Sequence, residues 1–191
     1  MTSRAAYLFI FDGFADWEPA LACAQLARNG FAVRAFALSD APVRSMAGLH
    51  VTPDMILADV DLANAAVVIF PGGDAWEHGE KPEITRLLAT LEQSHIPVAA
   101  ICAATIAAAH AGLLNQRAHT SNFAGYINKH VPGYVDAHYS NDVSAVTDRN
   151  VITASGMGSV DFAYEILKLL NVYGEADLKT WSSIFRDKVV P

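Results

Sequence analysis

Residues 97–105 read PVAAICAAT, and this stretch decides the fold. Its first five residues carry no charge and fit a strand that is covered on both faces, while the small residues after Cys102 fit the start of a helix. A strand that passes directly into a helix is typical of a parallel sheet, because parallel strands need a crossover between them. Cys102 is therefore predicted to lie on the turn between a buried strand and a helix.

The alternation of apolar strands and helices continues on both sides of this stretch. Strands are predicted at residues 5–11, 31–38, 65–70 and 97–101, with a hairpin of two more at 144–147 and 151–154. Helices are predicted to begin after Asp16, which is expected to cap the first of them, and to cover residues 82–94, 104–111, 123–130 and 159–170. The pattern predicts a flavodoxin-like α/β fold, a doubly wound and mostly parallel sheet with helices on both faces.

The composition fits one globular domain spanning residues 1–191. Hydrophobic residues make up 52% and charged residues 17% of the chain, which is the balance of a packed domain. The net charge of −7, without a run of Lys or Arg, argues against nucleic-acid binding. No stretch approaches the roughly 18 apolar residues of a membrane span, and the first apolar run is shorter than a signal-peptide core of roughly 7–15 residues. A cytoplasmic location without membrane contact is expected.

A cysteine on a strand-to-helix turn is a strong chemical signal. Nucleophiles on such turns adopt a strained backbone conformation, which needs small residues two positions before and after, here Ala100 and Ala104. The helix N-terminus is expected to lower the pKa of Cys102, and the Ala103 amide is placed to donate to an oxyanion. The alternative is that Cys102 is an inert core thiol, the interpretation that we favour for Cys23 within the first helix.

Two further loops at the carboxyl ends of the predicted strands carry candidate residues, because ligands of parallel sheets bind at that edge. Gly72 and Gly73 lack side chains, so their backbone can approach a ligand closely. Glu18 is either a solvated residue near the start of a helix or, if it points into the cleft beside Cys102, a buried acid that can hydrogen bond to a thiolate.

Other polar residues give weaker signals. His78 lies in a loop that could overhang the cleft, although a surface histidine is the simpler interpretation, and Trp76 either lines the mouth of the pocket or anchors that loop. The chain has no histidine pair with zinc-site spacing and no glycine-rich nucleotide motif, so neither a metal nor a cofactor is expected.

Five short stretches occur in an order that carries a family resemblance: FADWE at 14–18, VIFPGG at 68–73, AICAAT at 100–105, GLL at 112–114 and ITASG at 152–156. Together they resemble the ThiJ/PfpI superfamily, whose domain is similar to class I glutamine amidotransferase domains, and within it a bacterial subgroup labelled intracellular protease/amidase. The resemblance implies that Cys102 is the reactive residue, Glu18 its acidic partner, and the amides of Gly73 and Ala103 the oxyanion site. It also implies a homodimer. An amphipathic helix predicted at residues 175–191 packs either on the body of the chain or on that partner.

Two positions depart from the patterns of the superfamily. Its protease branch has a histidine directly after the cysteine, where this chain has Ala103, and its deglycase-like branch has a histidine at what we interpret as the position of Asn122. Neither usual base is present, although a cysteine hydrolase normally needs one. Asn122, His78 and Gly72 are predicted to bind the substrate beside the oxyanion amides.

Two functions fit these residues. In the first, the chain is a cysteine-dependent enzyme, amidase-like, glutamine amidotransferase-like or deglycase-like, whose Cys102 thiolate attacks a small electrophilic substrate while Glu18 moves a proton. In the second, the same thiol serves a redox or stress sensor and is oxidised without turnover. A base within reach of Cys102 would favour the enzyme. A third alternative is a binding domain that has kept the turn without any activity.

Overall fold

The computed structural model describes residues 4–187 and residue 189. Nine strands lie in these residues: β1 (Ala5–Phe9), β2 (Ala32–Ala37), β3 (Val43–Arg44), β4 (His50–Val51), β5 (Met55–Ile56), β6 (Ala65–Phe70), β7 (Val98–Ile101), β8 (Ala145–Asp148) and β9 (Val151–Ala154). The α-helices of the described residues are α1 (Trp17–Arg28), α2 (Pro82–Gln93), α3 (Ala104–His110), α4 (Ser159–Leu169) and α5 (Glu175–Phe185). None of these helices combines the length and the apolar character that crossing a membrane requires.

Seven of the strands form one sheet in the order β5-β2-β1-β6-β7-β9-β8. Neighbouring strands are parallel except β8 and β9, which form the predicted antiparallel hairpin. The chain builds outward from β1 to one edge and then from β6 to the other, so the strand order reverses between β1 and β6. The carboxyl ends of β1, β6 and β7 lie side by side, and the loops that follow these strands meet.

Helices cover both faces of this sheet, which confirms the predicted doubly wound architecture. On one face, α2 and α3 bury apolar side chains that include Leu88 and Ile106. On the other face, α1 and α4 do the same with Leu26 and Phe162. Each fully buried side chain of this kind contributes about 1.5–3 kcal/mol relative to an exposed one, so the two apolar layers hold the loops at the strand ends in place.

The predicted helix over residues 123–130 is wrong. These residues form turns and the short 3₁₀ helix Ile127–Lys129. Gly125 adopts a φ of +80°, a left-handed conformation through which a right-handed helix cannot continue.

The C-terminal helix is shorter than predicted. It was expected over residues 175–191, and α5 ends at Phe185. Leu178 and Trp181 are buried in the apolar layer that α4 shares, so the described helix packs on the body of its own chain. Residues 188, 190 and 191 of the predicted helix lie outside the described residues.

Asp16 does not cap α1, contrary to the prediction. Its side chain makes no hydrogen bond to the first turn of the helix. It accepts instead from the Ser45 hydroxyl at 2.9 Å and from the Ala47 amide at 3.3 Å. Because these two donors lie in the turn of the β3–β4 hairpin, Asp16 ties that hairpin to the start of α1.

Asp16→Ala is expected to lower the free energy of unfolding by about 1 kcal/mol, since a typical intramolecular hydrogen bond contributes about 0.5–1.5 kcal/mol. Urea unfolding measures the loss. Ser45→Ala is the matched variant. The double variant is expected to lose less unfolding free energy than the sum of the two single losses, because both substitutions remove the same hydrogen bond between Ser45 and Asp16. Strict additivity would mean that Asp16 acts on the helix alone.

Candidate active site

Cys102 lies on a strained turn, as the sequence predicts. It directly follows β7 and has a φ of +59°, a conformation that costs a non-glycine residue free energy unless its surroundings enforce it. Its amide donates to the Ala154 carbonyl at 2.8 Å, and its carbonyl accepts from the Thr105 hydroxyl at 2.7 Å. A neighbouring strand and the first turn of α3 thus hold the cysteine from both sides.

Glu18 is buried against this cysteine. Its side chain is 1% exposed in the first turn of α1. One carboxyl oxygen, Oε2, accepts from the Gly72 amide at 2.6 Å, and the carboxyl group also hydrogen bonds with the Cys102 thiol. The structure therefore brings together three residues that lie on three separate loops of the sequence, and Glu18 is not a solvated residue.

Two glycines pack closely against the sulfur of Cys102. A Cβ atom on Gly72 would lie 2.7 Å from Cys102 Cβ and 2.9 Å from Cys102 Sγ, and one on Gly156 would lie 3.0 Å from the same sulfur. Gly73 has a φ of +149°, and a Cβ there would lie 2.7 Å from the Gly13 carbonyl oxygen. Larger residues at these positions would displace the neighbouring backbone or the reacting side chains.

Asn122 is the side chain that donates to the sulfur. Its Nδ2 lies 3.4 Å from Cys102 Sγ, and its Oδ1 accepts from the Gly156 amide at 3.0 Å. This is the position where the resemblance leads one to look for a histidine. The asparagine occupies the place of a base next to the thiol, but an amide cannot take up a proton at neutral pH.

The thiol has a raised pKa, opposite to the direction expected from the helix N-terminus. Burial, followed by the negative charge of Glu18, raises the pKa of Cys102 to about 11. Hydrogen bonds from Asn122 and from the Ala103 amide favour the thiolate but do not outweigh these two effects. Burial also raises the pKa of Glu18, against the hydrogen bonds from Gly72 and Cys102.

The remaining candidate residues differ in their surroundings. His78 is exposed and, among the described residues, has no hydrogen-bond partner. Among the described residues, the amide of Gly73 donates to no backbone carbonyl, whereas the amide of Ala103 bonds to Cys102, so the two predicted oxyanion donors have different surroundings. Cys23 packs in the apolar layer with α1, as predicted, and burial raises its pKa to about 12.

No histidine of the described residues hydrogen bonds to Cys102. His119 is completely buried, and its ring bonds to the Arg117 carbonyl at 2.7 Å and to the Tyr134 hydroxyl. Trp76 is 2% exposed and donates Nε1 to the Pro71 carbonyl at 2.8 Å, so it anchors its loop. In the part of the chain that the structure describes, no cluster of three histidine, cysteine or acidic residues could hold a metal ion.

Sequence reasoning missed three residues at this site. Gly156 follows β9, and the rule that ligands bind beyond strand ends could have found it. Glu77 and Tyr126 form a 2.6 Å hydrogen bond at the edge of the site. No local pattern marks this pair, because the two residues come from different loops.

A doubly wound α/β domain with a cysteine on the turn after a central strand and a buried glutamate against its sulfur defines a class of thiol proteins. The chain belongs to the DJ-1/PfpI family, whose profile matches residues 4–169. This match confirms the resemblance seen in the sequence.

Named relatives support the same assignment. The chain is 31% identical over 189 residues to a Bacillus subtilis (strain 168) protein named Uncharacterized protease YoaZ, covering 95% of this chain and 90% of that one. It is 30% identical over 172 residues to Protein dj-1beta of Drosophila melanogaster, covering 88% and 90%. The solved structure of the DJ-1 superfamily protein Atu0886 from Agrobacterium tumefaciens has 37% identity and a TM-score of 0.84, covering 95% and 99%. The family thus includes protease-like and DJ-1 relatives of this chain.

Proposed function

We propose that the chain is a cysteine-dependent enzyme that acts on a small electrophilic substrate, with Cys102 as the nucleophile and Glu18 as the group that moves the proton. The observation that carries this proposal is the contact between a cysteine at a φ of +59° and a glutamate that is 1% exposed. Backbone strain and a buried acid both cost free energy, and such costs concentrate at functional sites.

Glu18 supplies the base that no histidine provides. Because burial raises its pKa, its carboxylate is a stronger base than that of an exposed glutamate. As the Cys102 sulfur forms a bond to the substrate carbonyl carbon, the thiol proton passes to Glu18 and the π electrons move onto the carbonyl oxygen. The amides of Gly73 and Ala103 are the proposed donors to this oxyanion.

The proton on Glu18 then completes the reaction. In an adduct with an aldehyde-type substrate, it passes to the oxyanion. With an amide, the C–N bond breaks and the proton leaves on the amine, which produces a thioester on Cys102. Water attacks this thioester, Glu18 takes up a proton from the water, and the departing thiolate of Cys102 receives that proton back.

The close packing around the sulfur supports a small substrate. A methyl group on Gly72 would clash with Cys102, at 2.7 Å from its Cβ, and one on Gly156 would press on the sulfur at 3.0 Å. Cys102 itself is only partly exposed. A compact carbonyl or amide compound therefore fits the proposal better than a folded protein substrate.

Iodoacetamide alkylation, read by peptide mass spectrometry across a range of pH, tests the reactivity of Cys102 against Cys23. Cys102 is expected to react severalfold faster, because burial raises the pKa of Cys23, to about 12, further than that of Cys102, which is raised to about 11. The alkylation rate of Cys102 is expected to keep rising as the pH is increased well above 8.5, which is about the pKa of a free thiol. Equal rates at the two cysteines at every pH would make Cys102 an inert core thiol and end the proposal.

Hydrolysis of p-nitrophenyl acetate tests turnover on the same samples. An acetyl group is expected to be trapped on Cys102 at early times, and Cys102→Ala is expected to abolish the reaction. Cys23→Ala is the matched control and should hydrolyse the ester like the wild-type chain. Hydrolysis that persists in Cys102→Ala would show that another group does the chemistry.

Oxidation without turnover is a second candidate function, supported by the donors around the sulfur. Asn122 Nδ2 and the Ala103 amide both bond to Cys102 and could hold an oxygen bound to sulfur. With hydrogen peroxide, the thiolate forms an S–O bond while the O–O bond breaks and hydroxide leaves, which produces a sulfenic acid. Rapid oxidation of Cys102 by peroxide, combined with no ester hydrolysis, would favour this role over the enzyme.

The resemblance extends the proposal to a cytoplasmic homodimer that acts on a small molecule and binds neither nucleic acid nor membranes. The net charge of −7 is consistent with the absence of a nucleic-acid partner. Light scattering of the full chain distinguishes the mass of one chain from that of two.

A further inference from the structure

The Asn122 side chain donates a hydrogen bond to the sulfur of Cys102, so its orientation decides whether this bond forms. Its Oδ1 is fixed by the Gly156 amide, and one hydrogen of its Nδ2 faces Cys102 Sγ at an N–S distance of 3.4 Å. The amide nitrogen carries a second hydrogen. The partner of that second hydrogen decides whether the side chain stays aimed at the sulfur.

Tyr126 is the candidate for this partner. Tyr126 is 6% exposed, and its ring contacts those of Phe123 and His130 edge to face, at centroid distances of 5.1 and 5.3 Å. Burial and the hydrogen bond to Glu77 raise the pKa of Tyr126, whereas the neighbouring Asn122 side chain lowers it. The phenol is therefore neutral at physiological pH, and its oxygen can accept from Asn122 while its hydrogen is donated elsewhere.

Glu77 receives that hydrogen from the opposite loop. The Tyr126 hydroxyl donates to Glu77 Oε1 at 2.6 Å. Glu77 directly follows Trp76, whose ring packs against Phe9 and Phe11 at centroid distances of 5.8 and 5.2 Å. Glu77 is exposed, but it lies on a loop that Trp76 anchors. It therefore fixes the Tyr126 hydroxyl through a hydrogen bond from the solvent side.

We propose that Tyr126, held by Glu77, is a positioning residue that orients Asn122 toward Cys102. This inference rests on the proposed function, because it concerns the thiolate that the enzyme would use. Among the described residues no histidine donates to the sulfur, so the uncharged amide of Asn122 must be well oriented to favour the thiolate. Tyr126 provides this orientation without placing a second charge beside Cys102.

The alkylation profile against pH tests the proposal in Tyr126→Phe and in the matched control Tyr134→Phe, whose phenol is also buried but bonds to His119. Tyr126→Phe is expected to raise the pKa of Cys102 and to slow its alkylation about three- to tenfold at roughly pH 8, because a hydrogen bond to a charged group is weakened. Tyr134→Phe is expected to leave the profile unchanged. A purely structural defect would alter the limiting rate without moving the midpoint.

Variants of the two partners complete the test. In an Asn122→Ala background, Tyr126→Phe is expected to cause no further shift, because Tyr126 acts through Asn122. Glu77→Gln keeps an acceptor for the phenol and should preserve the wild-type midpoint, whereas Glu77→Ala should shift it in the direction of Tyr126→Phe.

The outcomes separate this inference from the proposed function. An unchanged midpoint in Tyr126→Phe, or an equal shift with and without Asn122, would overturn the positioning role while Cys102 stays reactive in the wild-type chain. Wild-type alkylation of Cys102 as slow as that of Cys23 would overturn the proposed function, and the positioning role with it.

Discussion

Glu18→Gln is expected to accelerate the alkylation of Cys102 and, at the same time, to abolish turnover. Burial and the negative charge of Glu18 raise the pKa of Cys102 to about 11. Glutamine keeps the shape and the hydrogen bond to Gly72 but removes the charge, so the pKa of the thiol falls and alkylation at about pH 8 rises roughly tenfold for each unit of that fall. Because glutamine cannot carry the thiol proton, hydrolysis of p-nitrophenyl acetate is expected to fall by about 10²–10⁴-fold.

Thermal unfolding at two pH values shows whether this variant is damaged. Burial raises the pKa of Glu18 above its ordinary value of 4.5. Below about pH 4.5 the carboxyl group is protonated in both the folded and the unfolded chain, so it costs the fold nothing. As the pH rises from there through the raised pKa, the unfolded chain ionises more readily, and the folded state loses stability. Glu18→Gln should therefore be at least as stable as the wild-type chain at about pH 8 and gain nothing at about pH 4. Slower alkylation in a stable variant would contradict the effect assigned to the charge, and retained ester hydrolysis would exclude Glu18 as the base.

Gly72→Ala is expected to disrupt the site with a single methyl group. The new Cβ would lie 2.7 Å from Cys102 Cβ and 2.8 Å from Glu18 Oε2, and both neighbours are held by buried contacts. Overpacking of this kind costs about 1–3 kcal/mol of unfolding free energy. Because the methyl group separates the nucleophile from its base, ester hydrolysis is expected to fall roughly 100-fold or more, as it does when reacting groups are misplaced by about 1 Å.

Gly174→Ala is the matched control for this substitution. Gly174 has a φ of −63°, and a Cβ there would meet no atom within 4 Å. It should retain wild-type hydrolysis and stability, measured by the same ester assay and by urea unfolding. If Gly72→Ala behaved like Gly174→Ala, the backbone at Gly72 would be free to move, and the close packing around the sulfur would not matter for the chemistry.

Most of the fold could be predicted because its signals are local. Continuous apolar runs mark the buried strands, and Pro82 marks the start of α2. Two of the predictions about helices were wrong because a distant partner or a single glycine outweighed the local pattern. Asp16 has the side chain of a helix cap but bonds to the β3–β4 hairpin, and Gly125 interrupts the stretch that was predicted as a helix.

The residues of the candidate site also divide into those that the sequence identified and those that it did not. Cys102 was identified from its own surroundings, and Glu18 and Gly72 from the rule that loops at the carboxyl ends of parallel strands meet. Asn122 was reached through a family resemblance. Glu77 and Tyr126 carry no such signal, because their hydrogen bond joins two loops whose relative placement depends on the whole sheet.

By itself, the sequence determined that a cysteine ends a buried strand and that a helix begins just after it, because the small residues at 100 and 104 and the apolar run at 97–101 act over a few positions of the chain. Only the tertiary structure decided which groups surround the sulfur, since Glu18, Asn122 and Gly156 come from three other segments. It also decided the direction of the pKa shift at Cys102. The helix N-terminus is a local feature that favours the thiolate, but burial and the neighbouring carboxylate, which exist only in the packed molecule, raise the pKa by more.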